Sequence, residues 1–150
     1  FQELLLHLDT LAAIILVVGM LALIVVLPLL DPEHANIGMY FRSREGRRAS
    51  LVGAILGFDL VPLLVIADEY LIDWNAWLPG WPTFISTGLL PLLLVVGGIV
   101  GVYLLLRYAL KSSRSEAVMG LFAFIMSSFI VLTIVCVFFR GPNMALVLPF

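Results

Sequence analysis

Four long apolar stretches, Leu11 to Leu30, Leu51 to Ile72, Phe84 to Leu106 and Ala117 to Phe139, account for most of a chain of 150 residues. Each is long enough for a helix to cross the hydrocarbon layer, which takes about 20 residues. None shows the polar stripe of a helix lying on a globular surface. None alternates apolar and polar positions as a lipid-facing β-strand does. Only 12% of the residues are charged, about half the share usual in soluble domains, and mean hydropathy is +1.17. The expected fold is an all-α integral membrane protein, one four-helix transmembrane bundle over residues 1–150, with no length left for a separate soluble domain.

The breaks between the stretches carry ordinary helix punctuation. Asp31-Pro32 ends the first helix and Pro79-Gly80-Trp81-Pro82 forms a stiff turn before the third. Ser113-Arg114-Ser115-Glu116 has capping-box spacing, and Gly141-Pro142 stops the last helix. No internal repeat interrupts this plan. The chain opens on Phe1 rather than methionine, which leads us to expect further sequence before it.

Charge sets the expected orientation. Arg42, Arg44, Arg47, Arg48, Arg107, Lys111 and Arg114 fall in the first and third connections, so seven of the eight basic residues share one side and Arg140 stands alone on the other. Cytoplasmic loops carry such an excess, so both ends are expected outside (N-out/C-out), in the inner (cytoplasmic) membrane of a cell. Asp68, Glu69 and Asp73 then face outward beside Trp74, Trp77 and Trp81, whose rings suit the headgroup layer. The net charge of −2 gives no reason to expect a nucleic-acid partner.

Asp59 is the residue most open to a chemical reading. It lies about 12 to 14 Å into the second apolar stretch at 1.5 Å per residue, where an ionised carboxylate is costly unless paired or wet. Pro62 lacks an amide hydrogen and leaves the Phe58 carbonyl without its helical donor, so a polar spot inside the bundle is expected there. Gly97, Gly98, Ser127 and Ser128 fall near the same depth, and the two serines are candidate partners. Asp59 is then either a proton carrier or quinone ligand, or an acid that fastens helices to each other or to another subunit. Asp68 and Glu69 sit where the helix dipole disfavours negative charge. Arg140 is their candidate counter-ion. An acidic pair at that surface could receive protons from a quinol, or simply sit in solvent. Gly53 and Gly57, and likewise Gly97 and Gly101, have the four-residue spacing that lets helices approach closely.

Other chemistry is excluded on spacing. His7 and His34 lie at opposite ends of the first helix and cannot jointly ligate one iron. Cys136 is the single cysteine and cannot form an internal disulfide. Zinc-ligand spacing, a nucleophile elbow and a phosphate-binding glycine loop are missing. No metal or cofactor is expected on this chain alone.

Phe138-Phe139-Arg140-Gly141-Pro142-Asn143, continuing to Leu148-Pro149-Phe150, resembles the helix-exit segment of membrane subunits in bacterial quinol-oxidising, multihaem cytochrome complexes. Trp77-Leu78-Pro79-Gly80-Trp81-Pro82 before Phe84-Ile85-Ser86-Thr87-Gly88 is similar to a turn in the same proteins. The sequence departs from a haem-bearing subunit in having no CxxCH motif and no intramembrane histidine pair. The resemblance therefore implies a non-haem companion subunit, with cytochromes among its membrane partners and a quinone held at a subunit interface. A proton-coupled transporter or channel organised around Asp59, or a purely structural assembly subunit, are the competing expectations.

Overall fold

A computed structural model describes residues 8–30, 43–141 and 146. Its elements are α1 (Thr10–Leu30), α2 (Arg44–Tyr70), the single turn α3 (Trp74–Trp77), α4 (Leu90–Leu104) and α5 (Arg114–Phe138). α4 is extended at both ends by wider π turns, Phe84–Leu89 and Leu105–Ala109, making one long helix from Phe84 to Ala109. Four of these helices are long and apolar enough to cross a membrane, so this is an all-α, four-span membrane protein. Asp31-Pro32, Arg42 and Pro142 lie outside the described residues.

The helix starts are decided by capping. α2 begins seven residues before the apolar stretch at Leu51, because Ser43 accepts the Gly46 amide at 2.9 Å and halts the chain in an extended conformation just ahead of it. Ser113 and Glu116 form the expected capping box on α5. Glu116 Oε2 accepts the Ser113 amide at 2.8 Å, and the Glu116 amide donates to Ser113 Oγ at 3.2 Å. The same carboxylate reaches across the bundle: Ser43 Oγ donates to Glu116 Oε1 at 2.6 Å. One glutamate thus holds the first turns of α2 and α5 side by side, and the two helices run parallel from there.

Small residues keep them together. A Cβ on Gly53 would run into the Gly120 carbonyl, and one on Gly57 would meet Ser127 Oγ and come within 2.7 Å of the Phe124 oxygen. At Gly120 it would stand 2.8 Å from the Ala49 oxygen and 2.8 Å from Leu106 Cδ1. The α2–α5 contact therefore rests on backbone against backbone, the arrangement that small-residue spacing permits. Towards the far end it continues in larger side chains, with Val65 buried against Val131, Leu132 and Val135.

α1 and α4 flank this pair and are joined to each other by a carbonyl that proline leaves free. Pro91 has no amide hydrogen for the Thr87 oxygen four residues earlier. That oxygen accepts the Asp9 amide at 3.0 Å instead. Asp9 also caps α1, its Oδ2 accepting the Leu11 amide at 3.2 Å. Buried Ala12, Ala13, Leu16 and Met20 extend the contact along α1. The turn between α3 and α4 is closed one residue earlier than the proline pair implies: the Trp81 amide donates to the Leu78 carbonyl at 3.3 Å, with Gly80 at φ 87. Pro79 then Gly80 at the two central positions is the type II pattern, in which the second residue needs a positive φ.

Candidate functional site

A cavity of about 410 Å³ lies between the four long helices. Met20 of α1, Leu64 of α2, Val95 of α4 and Phe124 of α5 are among its apolar walls. Pro91 also lines it, so the residue that frees the Thr87 carbonyl also shapes the space. Its polar rim is short: Ser128, Asp68 and Trp74. Ser128 Oγ is already committed, donating to the Phe124 carbonyl at 2.7 Å.

Asp68 and Trp74 bring hydrogen-bonding groups to the end of the cavity where α2 finishes and α3 begins. The indole Nε1 of Trp74 donates to Asp68 Oδ1 at 3.0 Å. Trp77 stands edge-on to Trp74, with ring centroids 6.0 Å apart. Beside them Arg140 Nη1 meets Glu69 Oε2 at 2.9 Å, with the arginine side chain only 3% exposed and the glutamate 26%. The expected counter-ion is therefore in place. It neutralises a carboxylate at a helix C-terminus, where the dipole is unfavourable, and joins the ends of α2 and α5 as Ser43 and Glu116 join their beginnings.

The residues expected to form an inner polar spot are separated. Asp59 is exposed, whereas Gly57 is buried against α5. At about 100° per residue, two positions carry a side chain roughly 200° around the helix, so Asp59 points away from the bundle. Ser127 and Ser128 match the depth of Gly57 but not the direction of Asp59. Both hydroxyls donate to the Phe124 carbonyl, at 2.9 and 2.7 Å. Among the described residues the Asp59 carboxylate has no hydrogen-bond or ion-pair partner. Pro62 leaves α2 continuous from Arg44 to Tyr70.

The two glycine pairs also part company. Gly53 and Gly57 make the α2–α5 contact. Gly97 and Gly101 are exposed, and a Cβ on either would meet nothing within 4 Å. Sequence reasoning missed Gly120, the partner of Gly53. Ala117, Gly120, Ser127 and Ser128 recur at helical spacing, a signal that would have found the opposing face. It also missed Trp74 as the donor to Asp68, and no spacing rule predicts that contact across the α2–α3 turn. His7, His34, Asn143 and the Leu148-Pro149-Phe150 segment lie outside the described residues. Comparison with protein-family models, curated proteins and solved structures returns no match.

Proposed function

We propose that the chain is a non-haem membrane subunit of a quinone-linked electron-transfer complex, and that the cavity between its four helices receives a quinol. The observation that carries this reading is the cavity itself: about 410 Å³ of space with mostly apolar walls, lined also by the Asp68–Trp74 pair. Ligand sites generally combine such walls with a few placed polar groups. An isoprenoid tail suits the walls, and a ring bearing hydroxyls suits the carboxylate and indole. On oxidation a quinol releases two electrons and two protons. The electrons would pass to haem in a partner subunit, and Asp68 is the group placed to accept a proton. The resemblance of the Trp77–Pro82 turn and the Arg140 exit segment to subunits of quinol-oxidising cytochrome complexes supports the same assignment.

The membrane is read as the inner membrane, with Asp68, Glu69 and Trp74 on its outer side. Support comes from the grouping of seven basic residues at the opposite end. In a Cys136→Ala background, a membrane-impermeant thiol reagent added from outside should label Ala76→Cys and spare Lys111→Cys. The reverse pattern would invert the topology and remove Asp68 from the proton-releasing side.

Function is tested by gentle solubilisation of native membranes and identification of what accompanies the chain. Cytochromes with haem absorbance and extractable quinone should co-purify in fixed ratio. A stable, isolated chain free of both would overturn the reading. A transporter organised around Asp59 inside the bundle has no geometric support, because that carboxylate faces outward.

A further inference from the structure

The outward face of α2 leaves a membrane-embedded carboxyl group without a polar neighbour among the described residues. Leu51, Ile55, Phe58, Leu63 and Ile66 recur at three- to five-residue intervals and are all exposed, forming an apolar stripe on the side opposite Gly53 and Gly57. Asp59 sits in the middle of that stripe, also exposed. Since α2 begins at Arg44 and ends at Tyr70, Asp59 stands about 22 Å from its start and about 16 Å from its end at 1.5 Å per residue. That is near the middle of a hydrocarbon layer about 30 Å thick. Lipid tails offer a carboxylate neither a counter-charge nor a hydrogen-bond donor, and ionisable groups at this depth otherwise face a protein partner or water.

We infer that this stripe seats a transmembrane helix of a different chain, one that brings a lysine or arginine to the level of Asp59. An ionised carboxylate only accepts hydrogen bonds, and an opposite charge offsets its desolvation where a neutral neighbour does so less completely. The described helices of a second copy bring no lysine or arginine to that level. Arg44, Arg47, Arg48, Arg107, Lys111 and Arg114 all belong to the end where α2 and α5 begin, and Arg42 precedes them in sequence. Arg140 is at the other end and bonded to Glu69. Of the described basic residues, none stands at the depth of Asp59 in a copy embedded the same way. The inference rests on the chain being a subunit of a larger assembly and is independent of quinone chemistry.

The test places a photo-cross-linking residue at Ile55 or at Leu63, one turn to either side of Asp59, with exposed Leu93 on α4 as the control, in native membranes. Both α2 positions should give an adduct with the same membrane protein, absent from the Leu93 control. The captured helix should carry a lysine or arginine near its centre. Asp59→Leu should lower adduct yield about tenfold. Asp59→Asn should lower it comparably, because the amide keeps hydrogen bonding and loses the charge. Purified Asp59→Leu should melt like the parent protein, since Asp59 has no polar partner among the described residues. An adduct with lipid only, with a second copy, or within the same polypeptide would overturn the inference. So would a captured helix without a basic residue, or full yield in Asp59→Asn, which would mean a neutral hydrogen bond. Cytochromes recovered with silent α2 positions would defeat this inference alone. The expected adduct without cytochrome or quinone would defeat only the quinone-linked reading.

Discussion

Gly57→Leu should pull α2 away from α5 and abolish the native bundle. The leucine Cβ would meet Ser127 Oγ and stand 2.7 Å from the Phe124 carbonyl, and backbone cannot step aside as a flexible side chain can. Overpacking in a well-filled contact costs about 1 to 3 kcal/mol and occasionally more. Here the strain falls on the seam joining the two most extensively packed helices, so the upper end is expected. Gly97→Leu is the matching control. A Cβ there meets nothing, and leucine is a better helix former than glycine by roughly 1 kcal/mol, so the isolated chain should be unaffected or slightly more stable. Thermal unfolding of both variants in mild detergent, followed by circular dichroism, makes the comparison. Equal melting temperatures would show that the glycine seam does not hold the fold together.

Asp68→Asn should lower quinol oxidation by about 100-fold or more, the scale of losing a positioned proton acceptor. The asparagine side-chain oxygen still accepts the Trp74 indole N–H, and the loss should fall on kcat rather than KM. Glu69→Gln should behave differently. Glu69 is bonded to Arg140, whose side chain is buried, and removing the carboxylate charge weakens the pair that joins the ends of α2 and α5. Its effect should appear in the yield of folded protein, with turnover per assembled complex little changed. Steady-state quinol oxidation by the purified complex, normalised to its haem content, separates the two. Parental turnover in Asp68→Asn would exclude this carboxylate from proton transfer.

Local chemistry was legible wherever it depended on neighbours in sequence. The Ser113–Glu116 capping box reads directly from residues three apart, because the geometry of a helical first turn is the same in any protein. The Glu69–Arg140 pair was legible for another reason. Helix lengths and the topology put both residues at the same end, and no other cation was available there. Asp59 illustrates the limit. Its depth followed from counting residues, but its direction did not, because α2 is apolar nearly all round and gives no stripe to show which side faces protein and which faces lipid. Gly97 and Gly101 have the same spacing as Gly53 and Gly57, yet only the second pair has a neighbour.

Length and hydropathy alone determined that this chain forms four membrane-crossing helices, since the bilayer demands that backbone polar groups be satisfied within each span. The caps and turns between them were equally local. Which helices touch, and which faces they turn to each other, was decided only in three dimensions. Gly53 found Gly120, Ser43 found Glu116, Thr87 gave its freed carbonyl to Asp9, and Asp59 was turned outward. Inside a membrane, lipid is as apolar as leucine, so burial of apolar surface does not select one helix face over another. Close approach of small residues and a handful of hydrogen bonds make that selection, and these depend on pairs of residues far apart in the chain.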